Sequence, residues 1–334
     1  MTMTKEGNSR ELYDVIHIGQ YYCDLIFTGL SDMPQLGTEI FGTGLQLGPG
    51  GAFNTSYVLH RLGLKTGWIC DFGQDFFSQY VLEKVRQLGM DTSLFRYHTH
   101  NLCAVTAAFS YHHDRGFISY LDQFEPLDLV PFVEKYRPKC LLLGGLCFGE
   151  NFVELANTAH HLGVLIVMDC QYRQADLKTP GVTDLLKMVD VFMPNLSEAQ
   201  RLTGKGTIDE VLEYLSPIIP LVAVKMGNAG AAACMNGQII KIPGIRIEEV
   251  IDTTGAGDCF NAGFLFGYLR GASLENCLKY ANLCGGISVT GYGVSQTPSG
   301  EQLEALLGHY DELVEGNNDL IPQQSQLGQT FSCK

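Results

Sequence analysis

The sequence predicts an α/β protein: a three-layer sandwich about a mainly parallel central sheet, carrying a small β-sheet lid. Three observations carry that prediction. Past Asp122, four short runs at 140–143, 164–168, 191–193 and 221–224 are almost wholly apolar and alternate with helical patterns. Strands apolar on both faces belong to a parallel sheet that helices cover on each side. Two other stretches, about 25–47 and 92–121, are β-like but break the alternation, so they are expected to pair as a separate small sheet. Such a sheet projecting from an α/β body is suited to be a lid. The length, 334 residues with 46% hydrophobic and 17% charged content, allows a large core without disulfide or metal staples.

In chain order, residues 13–19 form a short apolar strand ending at Gly19. The stretch 25–47 is rich in Gly, Thr and Pro and alternates weakly. Residues 52–62 have helical spacing and stop at Gly63. A strand at 65–70 precedes a helix at 76–88, with Gly89 just past its end. The stretch 92–121 is rich in β-branched and aromatic residues and contains an Asp114-Arg115-Gly116 turn. Helical patterns at 151–162, 182–188 and 208–215 separate the four apolar strands. Residues 231–234 and 238–242 read as a hairpin about Met235-Asn236-Gly237, an Asn-Gly turn. Helices follow at 257–269, 274–289 and 302–314. The chain thus divides into an N-terminal extension (1–12), one domain (13–314) bearing the lid, and a polar, Gln-rich tail (315–334) expected to be loose.

Lys and Arg number 22 and Asp and Glu 36, a net charge of −14. That balance argues against nucleic acid or an anionic membrane as partner, because both need a cationic footprint. Anionic ligands remain open, since backbone N–H groups can hold them. The 11 cysteines include no Cys-x-x-Cys pair and no zinc spacing, and read as reduced core thiols. No signal-peptide stretch opens the chain, and no apolar run reaches the ~18 residues of a membrane span. A cytoplasmic protein is expected. His112-His113 and His160-His161 have no Cys or carboxylate partners at ligand spacing, so no metal site is assigned to them.

The most informative segment is Ile251-Asp252-Thr253-Thr254-Gly255-Ala256-Gly257-Asp258, which runs into an apolar helix. Gly255, Ala256 and Gly257 allow a tight turn with little side chain in the way. Their N–H groups and the helix N-terminus make a cradle for negative charge. Asp258 falls in the helix's first turn. A carboxylate beside an anion cradle is unfavourable for binding alone, but suits a base that takes a proton from a hydroxyl attacking phosphorus. The plainer alternative is that Asp252, Thr254 and Asp258 only cap the helix.

Asp252-Thr253-Thr254-Gly255-Ala256-Gly257-Asp258 resembles the C-terminal signature of the ribokinase (PfkB-type) carbohydrate kinase family. Pro49-Gly50-Gly51-Ala52-Phe53-Asn54, with Arg61-Leu62-Gly63 after it, resembles the family's N-terminal signature. Pro194-Asn195-Leu196-Ser197-Glu198 is similar to its Asn-x-x-Glu motif, and Lys225-Met226-Gly227-Asn228-Ala229-Gly230 to the segment under the nucleotide. The order of features agrees over about 13–305. No Gly-x-x-x-x-Gly-Lys-Ser/Thr is present, which separates the chain from P-loop kinases.

The resemblance implies a ribokinase-like fold and an ATP-dependent kinase that moves the γ-phosphoryl group to a hydroxyl of a small sugar. It implies Asp258 as catalytic base, with Gly255, Ala256 and Gly257 as anion hole. Asn195 and Glu198 would organise Mg²⁺ by the phosphates, through water. Lys225, Gly227 and Gly230 would lie along the nucleotide, and Asn282 on its adenine side. Asp252 and Thr254, with Ser288, Gly291 and Gly293, match a loop for a monovalent cation such as K⁺. Asp24 matches the carboxylate that binds sugar hydroxyls, and Gly50, Gly51 and Asn54 line the same pocket. Plainer readings stand beside these: Asn195 as a helix cap, Asp24 as a solvated strand-end residue, Gly50-Gly51 as a simple turn.

The chain departs from the family pattern chiefly at the acceptor. Gly50-Gly51-Ala52-Phe53-Asn54 is one residue shorter than usual, Tyr22 stands where a polar amide is common, and Lys225 replaces a common threonine. Tyr22 and Phe53 could stack on a sugar face or a base, which keeps a nucleoside kinase open as the alternative. A non-catalytic sugar- or nucleotide-binding protein is the third reading, and the intact Asp258 opposes it. Lid sheets can pair between subunits, so a homodimer through the lid is expected as an option.

Overall fold

The computed structural model describes residues 13–111, 114–147, 150–170 and 176–322. The N-terminal extension, His112-His113 and most of the tail lie outside the described residues. The chain enters the core at β1 (Val15–Ile18) and leaves at once for β2 (Tyr21–Thr28) and β3 (Gly44–Gly51). It returns through α1 (Ala52–Arg61), β4 (Thr66–Phe72), α2 (Phe76–Gln87) and β5 (Phe95–Tyr97), then leaves again for β6 (Ala104–Tyr111) and β7 (Asp114–Leu121). Helices and strands then alternate: α3 (Val130–Tyr136), β8 (Cys140–Leu143), α4 (Glu150–His161), β9 (Leu165–Asp169), α5 (Val182–Leu186), β10 (Val191–Met193), α6 (Leu196–Thr203), α7 (Ile208–Leu215) and β11 (Leu221–Lys225). The hairpin β12 (Ala231–Met235) and β13 (Gln238–Ile242) precedes α8 (Ala256–Tyr268), α9 (Leu274–Ser288), α10 (Gly300–Leu307) and α11 (Tyr310–Glu315).

Nine strands form the main sheet in the order β13-β12-β11-β10-β9-β8-β1-β4-β5. Its pairs are parallel except at β12, which runs antiparallel to both neighbours. Buried residues divide between its two faces. Phe53, Tyr57, Phe264 and Leu278 pack one side, and Phe152, Leu155, Val211 and Leu212 the other. The strand order turns at β1, where Ile18 lies opposite both Ile69 and Leu143. The crevice beyond the carboxyl ends of such a strand is where open α/β sheets bind ligands.

The second sheet has the order β3-β2-β6-β7, with β2 and β6 parallel at its centre. Its first strand begins at Tyr21 rather than near residue 25, because Tyr21 and Cys23 are fully buried and continue the core. β5, within the stretch expected to be lid, instead joins the main sheet beside β4. Its Phe95 ring packs on Trp68 and Phe72, which draws it into the body. Asp114-Arg115-Gly116 is strand rather than turn, since Tyr111 pairs with Asp114 and Phe109 with Gly116. Gly116 lies under the Phe109 ring, where any side chain would collide.

The expected helix at 302–314 is broken into α10 and α11 at Gly308, a residue that propagates helix poorly. The break aims Tyr310 at the Pro243 carbonyl, to which its hydroxyl donates at 2.6 Å. α3 and α6 have no counterpart among the expected helices. They have 7 and 8 residues; Pro131 in the first turn of α3 is tolerated there, and α6 starts from the Asn195 cap. The Asn-Gly hairpin is as expected, with Asn236 at φ 54° and Gly237 at φ 75°. The described cysteines are free and mostly buried. Among the described residues no helix is long and apolar enough to cross a membrane.

Candidate active site

α8 starts from Gly255, whose φ of 78° turns the chain sharply into the helix. The first bond along the helix is from the Cys259 amide to the Gly255 carbonyl. The amides before it are those left unpaired at any helix start. Ala256 N–H makes one long bond, 3.3 Å, to the Thr253 carbonyl. This turn is a wall between two cavities. Thr254, Gly255 and Asp258 line one of about 530 Å³, while Thr253, Ala256 and Gly257 line the other, of about 470 Å³.

Asp258 is half-buried on the first cavity's side. One carboxylate oxygen accepts from Thr55 Oγ1 at 2.8 Å and the other from Asn54 Nδ2 at 3.2 Å, both from α1. Burial pushes its pKa up to about 6. The Thr55 and Asn54 hydrogen bonds and the Lys225 charge oppose the rise, and the Asp169 charge adds to it.

The first cavity lies between the lid and the carboxyl ends of β1, β8 and β9. The lid contributes Tyr22, Asp24, Thr106, Phe117 and Ser119. Asp24 is not at a strand end; it stands mid-strand in β2 opposite Gly48. Burial, then the charges of Asp258 and Asp252, raise its pKa to about 7. Gly51 and Asn54 line the cavity beside it. Gly50 lies opposite Tyr22, and a side chain there would strike the Asp24 carboxylate. Phe53 is not at the cavity. It is fully buried, stacked on Tyr57 at 5.6 Å and edge-on to Trp68, so of the two aromatic residues expected as platforms only Tyr22 lines the cavity.

The second cavity is lined by Lys225, Gly227 and Gly230 at the end of β11 and by Asn282 of α9. Gly230 is obligatory, because a side chain would meet the backbone of residues 242–244. Asn282 donates to Tyr310 Oη at 2.8 Å and to the Pro243 carbonyl at 3.2 Å, fastening this wall to α11. Lys225 Nζ sits 2.8 Å from Asp169 Oδ1 and 3.2 Å from Asn261 Oδ1.

Asn195 and Glu198 form a reciprocal cap on α6, Glu198 N–H donating to Asn195 Oδ1 at 2.9 Å and Asn195 N–H to Glu198 Oε2 at 2.8 Å. Neither lines these two cavities, but Asn195 pairs with Lys225 through a single bridge. Burial raises the Glu198 pKa to about 7, against the Asn195 amide bond; the Asp169 charge adds to the rise. Asp252 accepts from Thr254 N–H and Oγ1 at 2.9 and 2.7 Å, and from Gly293 N–H at 2.8 Å. Ser288 Oγ donates to the Gly285 carbonyl, and a side chain at Gly291 would strike Ser295 and Gln296. These bonds lace 252–254 to 289–293. Among the described residues no group of three or more His, Cys, Asp or Glu could hold a metal. His160 reaches only Asp190, at 3.1 Å.

The sequence reading omitted Asp169, Asn261, Thr55 and His17, all of which line the first cavity. Asp169 had a usable signal, a carboxylate ending an apolar parallel strand. Thr55 and Asn261 had none, because each joins Asp258 or Asp169 only through tertiary packing.

Residues 17–300 match the profile described as pfkB family carbohydrate kinase. A 2-dehydro-3-deoxygluconokinase of Bacillus subtilis is 25% identical over 277 residues, 77% of this chain and 86% of its own. A nucleoside kinase of Methanothermobacter thermautotrophicus is 28% identical over 285 residues, 80% and 87% of the two chains. Among solved structures, Arabidopsis thaliana ribokinase complexed with ribose and ATP superposes with a TM-score of 0.73 at 21% identity, covering 88% of this chain and 98% of that one. With a parallel sheet, a separate small sheet and a cradle between two cavities already in place, the match over 17–300 has one meaning: the chain belongs to the pfkB family of carbohydrate kinases, phosphotransferases with an alcohol group as acceptor.

Proposed function

We propose that the protein transfers the γ-phosphoryl group of ATP to a hydroxyl of a small sugar bound beneath the lid. One observation carries the reading: Asp258 stands on the wall common to two cavities, its carboxylate held by Thr55 and Asn54. The acceptor occupies the cavity with Asp24, Tyr22 and Asn54, and the nucleotide the one with Gly227, Gly230 and Asn282. Asp258 takes the proton of the attacking hydroxyl, and a base with a pKa of about 6 is matched to that work near neutrality. The amides of Gly255, Ala256 and Gly257 stabilise the charge on the transferring group. Mg²⁺ neutralises phosphate charge when bound. Asn195 and Glu198 fit that role through water, since their carboxylate and amide are committed to the α6 cap.

The sugar reading is preferred to the nucleoside reading because Phe53, one of the two aromatic residues expected as platforms, is in the core, although Tyr22 and Phe117 both line the cavity. The test is ADP release with D-ribose, D-fructose, 2-dehydro-3-deoxygluconate and adenosine. Asp258→Asn should lower kcat by ~10²–10⁴ while ATP still binds by calorimetry. Retention of more than half of wild-type kcat removes Asp258 from the role.

A further inference from the structure

β1 is a central strand, and position 17 belongs to a buried row: its partners across the sheet are Trp68 on β4 and Leu142 on β8. An apolar residue would fill it. The chain has histidine there, 2% exposed. A buried imidazole needs both ring nitrogens accounted for. Nδ1 lies 2.8 Å from Ser56 Oγ on α1, and the Ala52 carbonyl one turn earlier also favours a proton on the ring. With a hydroxyl and a carbonyl on the α1 side, the ring proton is assigned to Nδ1, which leaves the lone pair on Nε2.

Nε2 has no hydrogen-bond partner among the described residues. It lies between Gly19, after β1, and Gly144, after β8, at 3.8 Å from where a side-chain carbon on either would stand. His17, Gly19 and Gly144 all line the acceptor cavity. Glycine at both positions leaves the nitrogen open to that cavity. Burial also lowers the ring's pKa to about 4, against the Asp169 charge, so the imidazole is neutral at pH 7.

We infer that His17 is a specificity residue of the acceptor pocket, whose Nε2 accepts a hydrogen bond from one hydroxyl of the acceptor. The inference rests on the sugar-kinase reading. A fixed lone pair in a closed pocket pairs with an O–H. It is left unpaired by a deoxy carbon and repels a carboxylate placed there. The acceptor therefore carries a hydroxyl, neither deoxy nor carboxylate, at the position facing His17.

The test uses His17→Asn and His17→Gln. The asparagine amide takes the place of Nδ1 and keeps the Ser56 contact while deleting the atom at Nε2; glutamine reaches the Nε2 position. KM values are measured by ADP release with the best acceptor among D-ribose, D-fructose, 2-dehydro-3-deoxygluconate and adenosine, and with its monodeoxy analogues. His17→Asn should raise acceptor KM about 10- to 100-fold with KM for ATP unchanged, and His17→Gln should restore most of it. One deoxy analogue should be penalised by the wild type and not by His17→Asn. An unchanged acceptor KM in His17→Asn, or the same penalty for every analogue, overturns the inference. If both variants unfold, wild-type protein carrying ¹⁵N-histidine decides: the His17 Nε2 resonance must move when the acceptor saturates the enzyme, and a fixed resonance overturns it. Failure of the wild type to phosphorylate any of the four acceptors removes the sugar-kinase reading itself, and the inference with it.

Discussion

Lys225 Nζ stands 2.8 Å from Asp169 Oδ1 between the two cavities, and Asn261 closes the cluster by accepting from Lys225 at 3.2 Å and donating to Asp169 at 2.7 Å. The lysine ends β11 and the aspartate ends β9, with α8 supplying the asparagine. The two charges pull Asp258 in opposite directions, Asp169 raising its pKa and Lys225 lowering it.

Opposite displacements of the acid limb of kcat/KM follow. That limb reports ionisation of the base in the free enzyme and should lie near pH 6. Lys225→Met should move it to higher pH and Asp169→Asn to lower pH. Displacement in the same direction in both variants would separate the cluster from Asp258.

Asp24 is expected to accept charge-assisted bonds from acceptor hydroxyls. Each is worth roughly 1.5–3 kcal/mol, so Asp24→Ala should raise acceptor KM at least tenfold with KM for ATP nearly unmoved. No change in either constant would make Asp24 a bystander. Tyr22→Ala, tested alongside, should affect sugars little; a large loss confined to nucleosides would favour the base-stacking alternative.

The same carboxyl should mark the stability profile. Its folded pKa of about 7 lies above the ordinary value of 3.8, so the folded state holds the proton more tightly. Stability therefore falls as pH rises from about 4 through 7. Asp24→Asn lacks that loss. Its Tm should match wild type near pH 4 and exceed it at pH 8; equal Tm values at both would refute the shift.

If the 252–254 loop, laced to Gly293, encloses a monovalent cation, exchanging tetramethylammonium for K⁺ at constant ionic strength and saturating Mg²⁺ should raise kcat. Flat activity across the exchange would leave the loop with a purely structural role.

The lid's outer face exposes Phe41 at 76%, Leu45 at 58% and Ile118 at 71%, around an apolar groove that also contains Phe27 and Phe109. An apolar patch of this kind marks an interaction surface. Pairing with the lid of a second copy is the expected cover. Sedimentation should give a dimer that Ile118→Asp dissociates, and a wild-type monomer at tens of micromolar would exclude it.

Local sequence determined the elements whose burial is symmetric or whose turn chemistry is specific. The apolar strands β8 to β11, the Asn236-Gly237 hairpin and the Gly255–Asp258 helix start all follow from neighbours in the chain, because backbone conformation and two-sided burial leave a short-range imprint. Tertiary structure decided whatever depends on partners far along the chain. β5 joins the body because Phe95 meets Trp68, Phe53 enters the core against Tyr57 and Trp68, and Lys225 finds Asp169 56 residues away. His17 looks like any strand residue until Gly19 and Gly144 open its Nε2 to the cavity. Desolvation and Coulomb interaction depend on distance in space, and only the packing of the two sheets gathers the ends of β1, β9 and β11 and the middle of β2 about the site of Asp258.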